Sequence, residues 1–95
     1  MPLEELPEHL YEQFAEMGKA LSSPKRLQLI NLLCQGEHSV AALADKTGMS
    51  PANTSAHLKK LRSANLVETR KEGRRVYHRL QDDSVVRLWL SLRDT

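Results

Sequence analysis

Apolar residues recur at helical spacing in two consecutive segments near the middle of the chain. In the first segment, Ser39 can cap a helix that Gly48 ends by adopting a positive φ. In the second, Ser50 can cap a helix with Pro51 at its first position, where the missing N–H costs nothing. The positions expected to face the core are Val40, Leu43, Ala44, Thr54, Leu58 and Leu61. The pattern predicts two short helices joined by a short turn.

Two β-prone runs follow this helix pair. They are Leu66–Arg70 and Arg75–Leu80, and the short turn between them contains Gly73. The pattern predicts an antiparallel hairpin whose tip, Arg70–Arg75, is basic.

Three further helices complete the prediction. The first spans about Glu8 to Leu21, the second opens at Ser23-Pro24 and ends at Gly36, and the last runs from about Asp82 to Arg93. The second helix has little polar surface and is expected to form the buried centre. The chain is therefore predicted to be mainly α with a small β-hairpin, a winged helix-turn-helix of five helices and a two-stranded wing. Residues 1–95 are expected to form one domain, with 1–7 as a flexible arm.

Charge is distributed unevenly along the chain. Between Lys59 and Arg79 there are eight Lys or Arg and two Glu, although the whole chain carries only +2. Residues 1–18 hold five Glu and no Lys or Arg. Short polar side chains followed by lysines suit a helix laid in the major groove of double-stranded DNA. The residues predicted to contact DNA are Ala52, Asn53, Ser55, Ala56, His57, Lys59, Lys60, Arg70, Lys71, Arg74 and Arg75.

The first and last helices are expected to form a dimer interface. The last helix is apolar over more than one face, and a helix too apolar for the edge of a monomer needs a partner. We therefore predict a two-fold homodimer in which both terminal helices pack against their copies. The predicted interface residues are Leu10, Phe14, Met17, Val85, Leu88, Trp89 and Leu92.

Several functional classes are disfavoured by what the sequence lacks. No run of about 18 apolar residues is present, so no membrane span is expected. The acidic N-terminus does not resemble a signal peptide, and a single cysteine cannot form an internal disulfide, so a cytoplasmic location is expected. There is no Gly-rich phosphate loop, ordered nucleophile or metal cluster. The chain is therefore not expected to be an enzyme or to need a cofactor.

Five short motifs, in this order, resemble the ArsR/SmtB family of winged-helix repressors. They are Leu21–Leu27, Gly36–Val40, Ser55–Leu61, Ala64–Val67 and Glu72–Tyr77. The resemblance implies a homodimeric bacterial repressor that leaves its operator when an inducer binds or a thiol pair is oxidised. Three further phrases, Tyr11–Phe14, Ala52–Ser55 and Leu88–Leu90, are most similar to the branch often fused to a rhodanese domain.

The sensing sites that the resemblance implies are not matched here. Ser39 and Ala41 stand where metalloid sensors of the family carry their two thiols, so soft thiolate ligands are missing. Asp82 and Asp83 could match part of the family's zinc site, but no histidine follows His78 and no four-coordinate site can be assembled. No metal site is therefore predicted, and the sequence does not identify an inducer.

Two alternatives stay open beside the repressor. One is a winged helix that binds proteins and not DNA, although such modules usually lose the basic wing. The other is a redox- or persulfide-responsive regulator that uses Cys34, which otherwise is expected to be a small buried apolar residue. Among the histidines, His57 is expected to contact phosphate or make a structural hydrogen bond. His38 is expected to be a solvated loop residue, and His78 to pack in the hairpin.

Overall fold

The computed structural model describes residues 5–95, which form five helices and one two-stranded antiparallel sheet. The elements, in chain order, are α1 (Glu8–Ala20), α2 (Pro24–Leu33), α3 (Val40–Thr47), α4 (Pro51–Ser63), β1 (Val67–Glu72), β2 (Arg75–Leu80) and α5 (Asp83–Arg93). The predicted mainly α fold with a small hairpin is confirmed. Of the arm predicted at 1–7, residues 1–4 lie outside the described residues. Within the rest, the Leu6 backbone N–H donates to the Tyr11 hydroxyl at 3.2 Å.

Local capping fixes the helix pair α3 and α4. The Ser39 hydroxyl accepts the Ala42 backbone N–H at 3.2 Å, and the Ser50 hydroxyl accepts the Asn53 N–H at 3.1 Å. Gly48 ends α3 with a φ of 72°, a left-handed conformation that costs glycine little. These predicted helix starts and the predicted stop are confirmed, because each depends on side chains within a few residues of one another.

The core lies between α2, α3, α4 and the base of the hairpin. Its completely buried side chains include Leu29, Leu43, Leu58 and Leu61, as expected from the helical spacing. Thr54 is equally buried, and its hydroxyl donates to the Ser50 carbonyl at 2.9 Å, which satisfies the polar group. Helix α2 ends at Leu33, earlier than the predicted stop at Gly36.

The hairpin turn is tighter than predicted. Glu72 pairs with Arg75, so the loop contains only Gly73 and Arg74, and Gly73 has a φ of 60°. A two-residue loop with glycine first has the composition of a type II′ turn, which matches the twist of the flanking strands. The sequence predicts that the first strand ends at Arg70, whereas β1 continues to Glu72, so Lys71 belongs to a strand and not to the turn.

The loop between α2 and α3 adds a short third segment to this sheet. The His38 N–H donates to the His78 carbonyl at 3.1 Å, and the His78 N–H donates to the His38 carbonyl at 2.8 Å. His38 also has side-chain partners, since its Nδ1 lies 2.8 Å from the Gly36 carbonyl and its Nε2 lies 2.9 Å from Lys46 Nζ. The prediction of a solvated loop residue is wrong for His38, because this loop is held against the wing.

Candidate nucleic-acid interface

Helix α4 has two sharply different sides. Thr54, Leu58 and Leu61 are completely buried against the core. The opposite side is exposed and carries the predicted residues Ala52, Asn53, Ser55, Ala56, Lys59 and Lys60. Small and short polar groups come first along the helix and the two lysines follow them. This exposed side offers hydrogen-bonding groups near its N-terminus and positive charge further along.

His57, also predicted to contact DNA, is half-buried and bonded within the protein. Its Nδ1 lies 3.2 Å from Arg26 Nη1, and a guanidinium can only donate, so Nδ1 accepts and His57 is neutral in this bond. Burial lowers the pKa of His57, and the charges of Arg26 and Lys60 lower it further. The Arg26 guanidinium also donates to the Ala20 carbonyl at 2.6 Å, which joins the end of α1 to α4. Sequence reasoning missed Arg26, because no local pattern marks this contact.

A basic groove of about 570 Å³ lies beside the exposed side of α4. It runs between α1 and α4, and the small Ala56 side chain leaves it open. Four basic side chains line it against one acid, Glu16, which pairs with Lys19 at 3.2 Å. The basic residues are Lys19, Arg26, Lys59 and Lys60.

The four cations predicted on the wing fall into two groups. Lys71, Arg74 and Arg75 are exposed, and none of them forms an ion pair within residues 5–95. Arg70 is engaged instead, at 2.9 Å from a Glu37 oxygen and 3.3 Å from a Glu72 oxygen. Its guanidinium also lies 5.1 Å from the centroid of the Tyr77 ring. The free positive charge of the wing is therefore at its tip and on Lys71.

Known proteins resemble this chain across the helix pair and well beyond it. The model for "Bacterial regulatory protein, arsR family" matches residues 23–69. The HTH-type transcriptional regulator Rv0324 of Mycobacterium tuberculosis is 48% identical over 80 residues, which cover 84% of this chain and 35% of that protein. The biofilm growth-associated repressor of Agrobacterium fabrum is 40% identical over 76 residues, covering 80% of this chain and 65% of that protein. The chain thus spans about a third to two thirds of the length of these relatives.

A solved structure extends the similarity to nearly the whole chain. It is the solution NMR structure of the homodimeric winged helix-turn-helix DNA-binding domain of Mb0332 from Mycobacterium bovis, described as a possible ArsR-family transcriptional regulator. The TM-score is 0.88 at 41% sequence identity, over 98% of this chain and 87% of that one. This chain belongs to the ArsR family. The winged helix-turn-helix fold predicted for it is confirmed.

The terminal helices of this ArsR-family domain leave large apolar side chains uncovered. Phe14 is 52% exposed, Leu88 48% and Leu92 57%, and α5 has no fully buried residue. The other predicted interface residues, Leu10, Met17, Val85 and Trp89, are half-buried. Such a face is costly in water for a single copy of the chain.

His78 is the one histidine in the core of the ArsR-family domain, and its packing in the hairpin is confirmed. It is 3% exposed, and its Nε2 accepts from Arg62 Nη1 at 3.0 Å. The proton is therefore on Nδ1, which is buried without a hydrogen-bond partner in the part of the chain that the structure describes. Burial, with the charge of Arg62 second, lowers the pKa of His78.

Cys34 is half-buried, whereas a buried position is predicted from the sequence, and it packs against the core from the residue after α2, where it caps the helix end. Burial raises the pKa of its thiol, and the charge of Arg93 partly offsets this effect. In residues 5–95 of the ArsR-family domain, no three His, Cys, Asp or Glu side chains are grouped closely enough to hold a metal ion. No helix in that range is long and apolar enough to cross a membrane.

Proposed function

We propose that this ArsR-family domain is a DNA-binding transcriptional repressor that acts as a homodimer on an inverted-repeat operator. The observation that carries the proposal is the two-sided helix α4. Its apolar side completes the core, while its other side presents Asn53, Ser55 and two lysines to solvent. A helix fixed in this way can enter the major groove without losing its own packing.

The proposed base and phosphate contacts of α4 follow from the chemistry of its side chains. Asn53 and Ser55 reach base edges, and an Asn side chain pairs with adenine through two hydrogen bonds. Lys59, Lys60 and His57 lie further along the helix, where they contact phosphates. His57 does so through Nε2–H, since Nδ1 is occupied by Arg26. Ala52 and Ala56 allow close approach of the helix to the groove.

On the wing, the phosphate or minor-groove contacts come from Lys71, Arg74 and Arg75, because only these lie free of ion pairs within residues 5–95. Arg70 instead pairs with Glu37 and Glu72 and supports the wing. The dimer brings two wings and two α4 helices to one face of the duplex. The uncovered apolar faces of α1 and α5 support the dimer, and so does the homodimeric M. bovis relative.

Selection from a random DNA library tests the proposal, with the mass of the free and bound protein measured in parallel. Two copies of α4 fit successive major grooves only when they stand about 34 Å apart. The selected site should therefore be an inverted repeat with half-site centres roughly 10 base pairs apart, bound by two chains. A protein that stays monomeric, or a library that yields no shared sequence, would contradict the proposal.

Two narrower proposals concern the wider protein. The first is that the chain belongs to the branch often fused to rhodanese domains; the phrases Tyr11–Phe14, Ala52–Ser55 and Leu88–Leu90 support it. A thiosulfate sulfurtransferase assay on the product of the complete gene tests it, and a product that lacks the activity counts against it.

The second proposal is that the domain works in the cytoplasm, beside the chromosome, and has no catalytic activity of its own. Fractionation of cells that express the tagged protein tests the location.

A further inference from the structure

One carboxylate, that of Glu37, touches both strands of the wing. Its two oxygens lie 3.1 and 2.9 Å from Arg70 Nε on β1, and one of them lies 3.7 Å from Arg79 Nη1 on β2. Glu37 itself is outside the hairpin, in the loop that leads into α3. It therefore links the helix pair that contains α4 to the hairpin that carries the wing tip.

The backbone next to Glu37 makes the same connection in another way. His38 and His78 exchange two backbone hydrogen bonds, at 3.1 and 2.8 Å, between this loop and β2. This bridge reaches β2 and not β1. The Glu37 carboxylate also bonds to Arg70 on β1, so the loop is joined to both strands of the wing.

Stability does not explain this arrangement. The side chains of Glu37, Arg70 and Arg79 are 32%, 38% and 44% exposed, and ion pairs this accessible contribute little to folding. Glu37 also reduces the positive charge that the wing offers to DNA. It acts there together with Glu72, which lies 3.3 Å from Arg70, and Glu68, which lies 2.7 Å from Arg79. An acid that weakens a DNA-binding surface without stabilising the fold needs another role.

We infer that Glu37 is a specificity-determining residue that positions the wing relative to α4 and withholds Arg70 from indiscriminate phosphate contact. The role depends on the proposed function, because it concerns how well one DNA sequence is distinguished from another. The partner is double-stranded DNA, and the quantity that Glu37 sets is the ratio of operator affinity to non-specific affinity.

Three variants separate the position of the wing from its charge. Glu37→Gln removes the charge and replaces one of the two acceptor oxygens with an amide donor, which weakens the bond to Arg70. Glu37→Asp keeps the charge on a side chain one methylene shorter, which should not reach both strands. Glu72→Gln is the matched control, because Glu72 also pairs with Arg70 but lies within the hairpin and does not contact the loop. Each variant is measured on the selected operator and on a scrambled duplex of equal length, over a range of salt concentrations.

The specificity ratio should depend on whether residue 37 still bonds to both strands, and the affinity for the scrambled duplex should depend on the charge. Glu37→Gln and Glu37→Asp should each lower the specificity ratio about tenfold, the scale of one lost base contact. Glu37→Gln and Glu72→Gln should raise affinity for the scrambled duplex roughly two- to fivefold, with a steeper salt dependence, while Glu37→Asp should leave it unchanged. The inference would be overturned if Glu37→Asp kept the wild-type specificity ratio, or if Glu72→Gln lowered that ratio as much as the Glu37 variants do.

Amide hydrogen exchange on the free protein gives a second readout that needs no DNA. In both Glu37 variants the His38 and His78 amides should exchange faster than in the wild type, while Glu72→Gln should leave them protected. Unchanged protection in both Glu37 variants would also overturn the inference. If instead the wild-type protein shows no sequence preference on DNA, the proposed function fails, and hydrogen exchange still reports whether Glu37 holds the wing.

Discussion

The middle and the two ends of this small domain differ in how completely they bury their apolar side chains. Helices α2, α3 and α4 bury Leu29, Leu43 and Leu58 completely within one chain. Helices α1 and α5 are as amphipathic as surface helices usually are, yet they leave Phe14 and Leu92 more than half exposed. A chain of this size has enough apolar residues for one core and a surplus at its ends. The surplus is the physical reason to expect a second copy.

The largest effect should come from placing charges on the uncovered apolar face of α5. Changing Leu88 and Leu92 together to Glu should convert the dimer to a monomer, because four buried carboxylates cannot be accommodated across a two-fold apolar contact. Operator affinity should then fall by about 10² to 10⁴-fold, the gain that linking two half-site contacts provides. Sedimentation and binding isotherms measure the two effects.

Arg87→Glu is the control for that variant. It changes the charge of the chain by the same amount, and Arg87 is exposed about 120° of helical arc from the midpoint of Leu88 and Leu92. It should stay dimeric. A dimeric Leu88→Glu/Leu92→Glu protein would remove α5 from the interface.

The next effect compares one chemical change in both regions. Leu58→Ala should lower the free energy of unfolding by about 2–5 kcal/mol, because Leu58 is completely buried and its removal leaves a cavity. Leu92→Ala, measured by urea unfolding at a protein concentration where the chain is monomeric, should cost less than about 1 kcal/mol. Equal losses at the two positions would mean that α5 is already packed within one chain.

A smaller effect distinguishes the two sides of α4. Asn53→Ala should leave the free energy of unfolding nearly unchanged and should cost about 1–3 kcal/mol of binding per half-site, with relaxed preference at one base pair. Lys60→Ala should weaken all duplexes alike and flatten the salt dependence. An Asn53→Ala protein that selects the wild-type sequence from the library would exclude Asn53 as a base-reading residue.

The smallest effect concerns His78, the buried histidine of the core. The pKa of His78 is lowered in the folded state, so the unfolded chain takes up its proton first as the pH falls. Its contribution to stability is therefore complete above the unfolded value near 6.5 and is lost as the pH falls through the folded pKa. His78→Gln should flatten the decline of stability below pH 6.5, by at most about 1.4 kcal/mol per pH unit. The exposed His9, changed to Gln, is the control, and equal slopes in wild type and His78→Gln would contradict the assignment.

How far the sequence predicts a contact depends on how far apart along the chain the two contacting residues are. The caps at Ser39 and Ser50, the stop at Gly48 and the buried side of α4 were predictable, because each depends on spacing along one helix. The engagement of Arg70 by Glu37 was not, since those residues are 33 apart and meet only when the loop and wing have docked. The same holds for Arg26 and His57.

A partial signal for the wing network was nevertheless present in the sequence. With the two-residue loop fixed at Gly73 and Arg74, the register places Glu68 opposite Arg79, and these side chains do pair at 2.7 Å. Assigning the turn type first would have extended the first strand beyond Arg70 to Glu72 and moved Lys71 out of the turn. The DNA contacts themselves stay predictions, because side-chain exposure shows which groups are available and not which groups bind.

The single tryptophan of the chain is placed where it can serve as an optical reporter. Trp89 is half-buried on α5, and its indole N–H donates to the Asn31 side chain of α2 at 2.9 Å. Its emission therefore responds to the seating of α5 on α2 and, since Trp89 is also a predicted interface residue, to the arrival of a second copy. Intrinsic fluorescence can follow both events in unlabelled protein, on the native chain and in real time.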